Sequence, residues 1–124
     1  MGWKKMLLTS QVSPGVQALE RMVQLFDQAL QQALAALVEA PALQSNLLVM
    51  DDLAMDARML RDEGLSLLPA GFVLDICPPA ESGVSVLTLL QRAEAVSREL
   101  SINQFPEGMS LLIVRLVDAL RDHS

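Results

Sequence analysis

The chain has 124 residues, of which 52% are apolar, and a formal net charge of −6. This length and apolar content predict a single domain over residues 1–124, in which 1–12 form a loosely ordered N-terminal segment. Because the excess of acidic side chains repels phosphate groups, the composition argues against nucleic acid as a direct ligand.

Cysteine content and the length of the apolar runs indicate where the chain resides. Cys77 is the only cysteine, so no disulfide forms within the chain, which favours a cytoplasmic location. Acidic residues interrupt each apolar run before it reaches the roughly 18 residues that cross a bilayer. We therefore expect a cytoplasmic chain without a membrane span.

The first predicted helix begins near Pro14. Apolar residues recur at alternating intervals of three and four from Val16 to Leu37, which is the spacing of one helical face. Ser13 is positioned as the N-cap, and Pro14 is well suited to the first helical turn. Pro41 ends this pattern, since proline cannot continue the hydrogen bonding of a helix.

Three further helices follow. The second runs from Ala42, or from Asn46, to Glu63, and Gly64 is predicted to end it in a left-handed conformation. Residues 65–82 form a long connector that contains proline and glycine. A third helix is capped by Ser82 or Ser85, and the last spans about 107–121.

The predicted fold class is therefore all-α, a compact bundle of four to five helices. An α/β alternative places short strands near 47–50, 72–76 and 109–114, because these segments are apolar enough for either structure.

One face of the first helix is rich in glutamine and has two interpretations. It is either a solvated surface of good helix formers or a face packed on another helix, where neutral amides are easier to desolvate than charges. Its glutamines are Gln17, Gln24, Gln28, Gln31 and Gln32.

The sequence offers little for catalysis. A phosphatase-type loop starting at Cys77 needs arginine six residues later, but Gly83 stands there. His123 is the only histidine, and we expect it to fray at the end of the last helix. The sequence therefore predicts no catalytic residues, no cofactor and no small-molecule substrate.

Acidic residues cluster in the second helix, where Asp52 and Asp56 share a face. Arg58 and Arg61 lie among the carboxylates, and the chain has no Glu-x-x-His motif to complete a metal centre. We interpret the cluster as a solvated, salt-bridged surface and predict no metal site.

Two motifs resemble the receiver domains of bacterial response regulators. Asp75, Pro79 and Gly83 follow the spacing of the phosphoacceptor strand and loop, and LLVMDD at 47–52 resembles the first strand with its acidic pair. The resemblance implies an α/β signalling domain in which Asp75 is the acidic site. Only 22 residues separate Asp52 from Asp75, too few for the intervening strand and helices of a receiver.

The helices carry more apolar surface than a small bundle needs, which indicates burial against another protein or a second copy of the chain. We therefore predict a small acidic interaction module, such as an adaptor, an assembly factor or a dedicated chaperone, which buries an amphipathic segment of its partner. Phe26→Asp or Leu30→Asp is expected to dissociate the complex. The alternatives are the degenerate receiver-like domain and a non-catalytic subunit of an enzyme complex. The predicted partner-binding residues are Leu19, Val23, Phe26, Leu30, Met55 and Met59.

Overall fold

The computed structural model of the chain describes residues 13–39, 44–72 and 83–123. Within these ranges it contains four α-helices, a short 3₁₀ helix and no strand, which confirms the all-α prediction. The helices are α1 (Pro14–Glu39), α2 (Gln44–Leu67), α3 (Val86–Ser97) and α4 (Met109–His123), with the 3₁₀ helix at Ile102–Gln104.

The alternative with short strands is not needed. Residues 47–50 lie within α2 and residues 109–114 within α4, because each apolar run belongs to a longer segment with helical periodicity. Of the remaining predicted strand, 72–76, only Phe72 is among the described residues. Phe72 follows a turn and belongs to neither a helix nor a strand. The predicted N-terminal segment, 1–12, lies outside the described residues.

Serine side chains cap two of the helices. The Ser13 hydroxyl accepts a hydrogen bond from the Val16 backbone N–H at 3.1 Å, and the Ser85 hydroxyl accepts one from the Thr88 N–H at 3.1 Å. Each bond satisfies a donor that has no partner within its own helix. The predicted cap at Ser13 is confirmed, and of the two candidates for the third helix Ser85 is the cap.

The predicted end of the second helix at Gly64 is wrong. Helix α2 continues to Leu67, so the connector begins later than residue 65. Gly64 is buried, and a Cβ atom placed on it would lie 2.7 Å from Cγ2 of Val23 in α1. Gly64 therefore allows α1 and α2 to approach closely. In the sequence, a glycine required for close packing looks the same as a glycine that ends a helix.

The four helices surround one apolar core. Helix α1 packs against α2 and α3, and α4 packs against the same two helices, which gives a four-helix arrangement. The most deeply buried large side chains come from α1, α3 and α4, and α2 adds two leucines that are each 2% exposed and two buried alanines. The large side chains from α1, α3 and α4 are Leu19, Met22, Val23, Phe26, Leu89, Leu90, Met109, Leu112 and Leu116.

Polar contacts hold α4 against α2. Arg115 Nη1 lies 3.1 Å from Glu63 Oε2, and His123 Nε2 lies 2.9 Å from Asp56 Oδ2. The His123 side chain is only 11% exposed. The prediction that His123 frays is therefore wrong, because the last turn of α4 packs beside α2.

Among the described residues, none of the helices has both the length and the apolar content needed to cross a membrane.

Candidate functional site

An open groove of about 700 Å³ runs between α1 and α2. Leu30 and Ala54 are buried at its floor, while one leucine and two methionines stand along its walls and are largely exposed. Charged side chains of α2 border it. The lining residues are Leu30, Leu34, Asp51, Ala54, Met55, Arg58, Met59, Arg61 and Asp62.

The exposed apolar side chains are the unusual feature of this groove. Leu34 is 48% exposed, Met55 62% and Met59 53%, so a large part of each faces solvent. Val38 follows Leu34 by four residues on the same face of α1 and is 80% exposed. A cluster of large apolar side chains on the surface is typical of a binding site.

Helical periodicity explains why these side chains lie together. Leu30, Leu34 and Val38 are spaced four apart in α1, and Met55 and Met59 are spaced four apart in α2. Each row lies at the edge of the stripe that its helix buries in the core. The paired helices cover the inner rows and Leu30, and they leave the other four side chains of these rows exposed.

Arg61 is held within the groove by two carboxylates. Its Nη1 donates to Asp27 Oδ1 in α1 at 3.1 Å, and its Nη2 donates to Asp62 Oδ1 at 3.1 Å. Partial burial lowers the pKa of the Arg61 guanidinium, but the hydrogen bonds and charges of Asp27 and Asp62 outweigh burial and raise the pKa overall. Arg61 therefore stays charged and links the two walls.

The structure separates the six predicted partner-binding residues into two groups. Leu19, Val23 and Phe26 are 0% exposed, and Leu30 is 8% exposed, so the chain covers all four with its own helices. In this arrangement they pack in the core of the bundle, and their role as partner contacts stays a prediction. Met55 and Met59 remain on the surface, and Leu34 is a wall residue that was not among the candidates.

Sequence periodicity does not distinguish the buried residues of an apolar stripe from the exposed ones. Leu30 and Leu34 are identical in type and one turn apart, yet Leu30 is buried and Leu34 is 48% exposed. The sequence did show that the apolar stripe of α1 is wide. This width indicated that α1 has more apolar side chains than the core buries, but it did not indicate which of them are exposed.

The glutamine-rich face of α1 is half-buried at some positions and exposed at others. Gln24 and Gln28 line a second groove between α1 and α3, and the Gln32 side chain donates to the Val84 carbonyl at 3.0 Å. Gln17 and Gln31 are exposed. The half-buried glutamines therefore border α3 and the residue before its cap, and the exposed ones face solvent.

The resemblance to receiver domains does not extend to the backbone. Residues 47–52, which resemble the first strand with its acidic pair, are helical and belong to α2. Asp75 and Cys77 lie outside the described residues, as does most of the connector. The described backbone is all-α, whereas a receiver is built on a sheet.

The acidic cluster of α2 is divided among different partners. Asp56 contacts His123, Glu63 contacts Arg115, and Asp62 contacts Arg61, while Asp51 and Asp52 are exposed. Within the described residues, no group of three or more histidine, cysteine or acidic side chains is arranged to hold a metal ion.

Comparison with protein-family models, with curated proteins and with solved structures finds no match for this chain.

Proposed function

We propose that this chain is a protein-protein interaction module that binds an amphipathic helix of its partner in the groove between α1 and α2. The observation that supports this proposal most directly is the exposure of Leu34, Met55 and Met59 along the two walls. A helix that binds in such a groove buries its own apolar face together with these three side chains. Burial of apolar surface provides the driving force.

The methionines suit a groove that accepts more than one sequence. Methionine is unbranched and polarizable, so its side chain adapts to irregular apolar surfaces at little cost. Two such residues one turn apart, at 55 and 59, allow partner side chains of different shape to pack. We propose an adaptor, an assembly factor or a dedicated chaperone that acts in the cytoplasm through binding and carries out no chemistry.

The groove can be tested with helical peptides selected from a displayed library against the purified chain. Met55→Glu combined with Met59→Glu places two charges on one wall, and we expect the selected peptides to lose affinity by about 30-fold or more, as when a central anchor residue is removed. Fluorescence anisotropy of labelled peptides measures the change.

Leu111→Glu combined with Val114→Glu provides the matched control, because it adds the same two charges at residues that are 51% and 54% exposed on α4 and do not line the groove. This variant should bind the selected peptides as the unmodified chain does. Circular dichroism should show that both proteins keep their helices. Equal affinity of the peptides for all three proteins would mean that the groove is not the binding site.

A further inference from the structure

The methionines of the chain divide into two groups by exposure. The sequence has seven, of which five lie in the described residues. Met22 and Met109 pack in the core at 0% and 1% exposure, and Met50 is half-buried. Met55 and Met59 are 62% and 53% exposed, and both line the groove between α1 and α2. Among the described methionines, the two that solvent reaches most freely are therefore the two in the wall of the groove.

The two walls of the groove differ in their chemistry. Helix α1 contributes Leu34, whose hydrocarbon side chain offers no lone pair to an oxidant. Helix α2 contributes the two methionines, whose thioether sulfur atoms are oxidised where an oxidant reaches them. Met55 and Met59 are four residues apart and share one face of α2, so an oxidant approaches both from the same side.

We propose that Met55 and Met59 form an oxidation site through which peroxide controls binding in the groove. This inference rests on the proposed function and specifies its regulation. A lone pair of the sulfur attacks one oxygen of hydrogen peroxide, so that an S–O bond forms and the O–O bond breaks. The transferred oxygen gives its proton to the departing hydroxide, which leaves as water. The sulfur is thereby oxidised to the sulfoxide, and the peroxide is reduced.

The modification can be reversed. A methionine sulfoxide reductase restores the thioether, as two thiols of the enzyme become a disulfide and the oxygen leaves as water. Each epimer of the sulfoxide has its own reductase. The wall formed by Met55 and Met59 can therefore pass between an apolar and a polar state.

Oxidation makes this wall polar and leaves the core unchanged. Burying the S=O group of a sulfoxide against the apolar face of a partner leaves its oxygen without a hydrogen-bond donor. Because Met55 and Met59 already face solvent, the folded chain loses little packing when they are oxidised. Oxidation of Met22 or Met109 would place a polar group in the core, but both are covered by the bundle.

The first measurement is the rate at which each methionine reacts. The purified chain is treated with hydrogen peroxide for increasing times, and mass spectrometry of its fragments assigns the added oxygen to individual residues. We expect Met55 and Met59 to be oxidised at least about tenfold faster than Met22 and Met109, because the buried sulfur atoms react only when the fold opens. Equal rates at the four positions would overturn the inference.

The second measurement is the affinity of the selected helical peptides, chosen without methionine, after the oxidant has been removed. The oxidised chain should bind them about tenfold more weakly or worse, and the two reductases should restore the affinity. Met55→Leu combined with Met59→Leu keeps the wall apolar, so this variant should bind as the unmodified chain does and lose no affinity on oxidation. Met109→Leu removes a buried methionine and should leave the response to peroxide unchanged.

The outcomes separate this inference from the function on which it rests. If Met55 and Met59 are oxidised and the peptides bind as before, while Met55→Glu with Met59→Glu abolishes binding, the groove binds helices but oxidation does not control it. If the variant with two leucines loses as much affinity on oxidation as the unmodified chain, another oxidised residue is responsible and the inference is overturned. If neither oxidation nor the glutamate substitutions change binding, the proposed function is wrong as well.

Discussion

At the scale of single residues, Gly64 shows how one atom sets the distance between two helices. Glycine lowers the stability of a helix interior by about 1 kcal/mol relative to alanine. Gly64 nevertheless lies within α2, because a Cβ atom there would come within 2.7 Å of Cγ2 of Val23. Val23 is fully buried and has a stiff, branched side chain, so it cannot move aside easily.

Gly64→Ala is therefore expected to destabilise the chain by about 1–3 kcal/mol, as overpacking of a core does, despite the better helix propensity of alanine. Urea denaturation followed by circular dichroism measures the free energy of unfolding. In a background that carries Val23→Ala, the same substitution should cost much less, because the added methyl group then has space. An equal cost in both backgrounds would show that contact with Val23 is not the reason for glycine at this position.

At the scale of elements, α3 shows how a local capping residue and an apolar face together stabilise a short helix. Helix α3 has only 12 residues, a length at which an isolated helix is marginal in water. Its start is defined by Ser85, whose backbone is extended and whose hydroxyl accepts from the Thr88 N–H. Its stripe, which includes Leu89 and Ala93, then packs on α1 and α4.

Removing this cap tests the local contribution. Ser85→Ala should lower the free energy of unfolding by about 1 kcal/mol, because the Thr88 N–H loses its acceptor. Ser85→Asp retains an acceptor at the same position and should unfold at nearly the same urea concentration as the unmodified chain. A Ser85→Ala variant as stable as Ser85→Asp would contradict a stabilising role for this bond.

At the scale of the whole molecule, α4 is attached to the rest of the bundle by apolar packing and by ion pairs. Leu112 is fully buried, whereas the Arg115 side chain that pairs with Glu63 is 47% exposed. An exposed ion pair contributes about 1 kcal/mol or less, since solvent screens it. Apolar burial therefore dominates the attachment of α4.

Leu112→Ala is expected to cost roughly 2–5 kcal/mol, and Arg115→Ala about 1 kcal/mol or less. Chemical denaturation of the two variants side by side compares the contributions directly. High salt should leave the difference almost unchanged, because burial of apolar surface does not depend on screening of charge. A larger loss from Arg115→Ala than from Leu112→Ala would reverse this ranking.

The sequence by itself determined the helices. Apolar spacing of three and four, together with Ser13 and Pro14, predicted where α1 begins, and the same reasoning predicted α4 within two residues at each end. These features are local, because a cap and a helical stripe involve residues only a few positions apart. The prediction failed at Gly64, where the reason for glycine lies in another helix.

Only the tertiary structure decided which part of each stripe is covered. Phe26 and Leu34 belong to the same apolar pattern of α1, but Phe26 is 0% exposed and Leu34 is 48% exposed. Periodicity gives the direction of a side chain around its own helix. It does not show how far a neighbouring helix covers that face. The packing of α2 on α1 covers the inner row of side chains and leaves the outer row, with Met55 and Met59, as the walls of the groove.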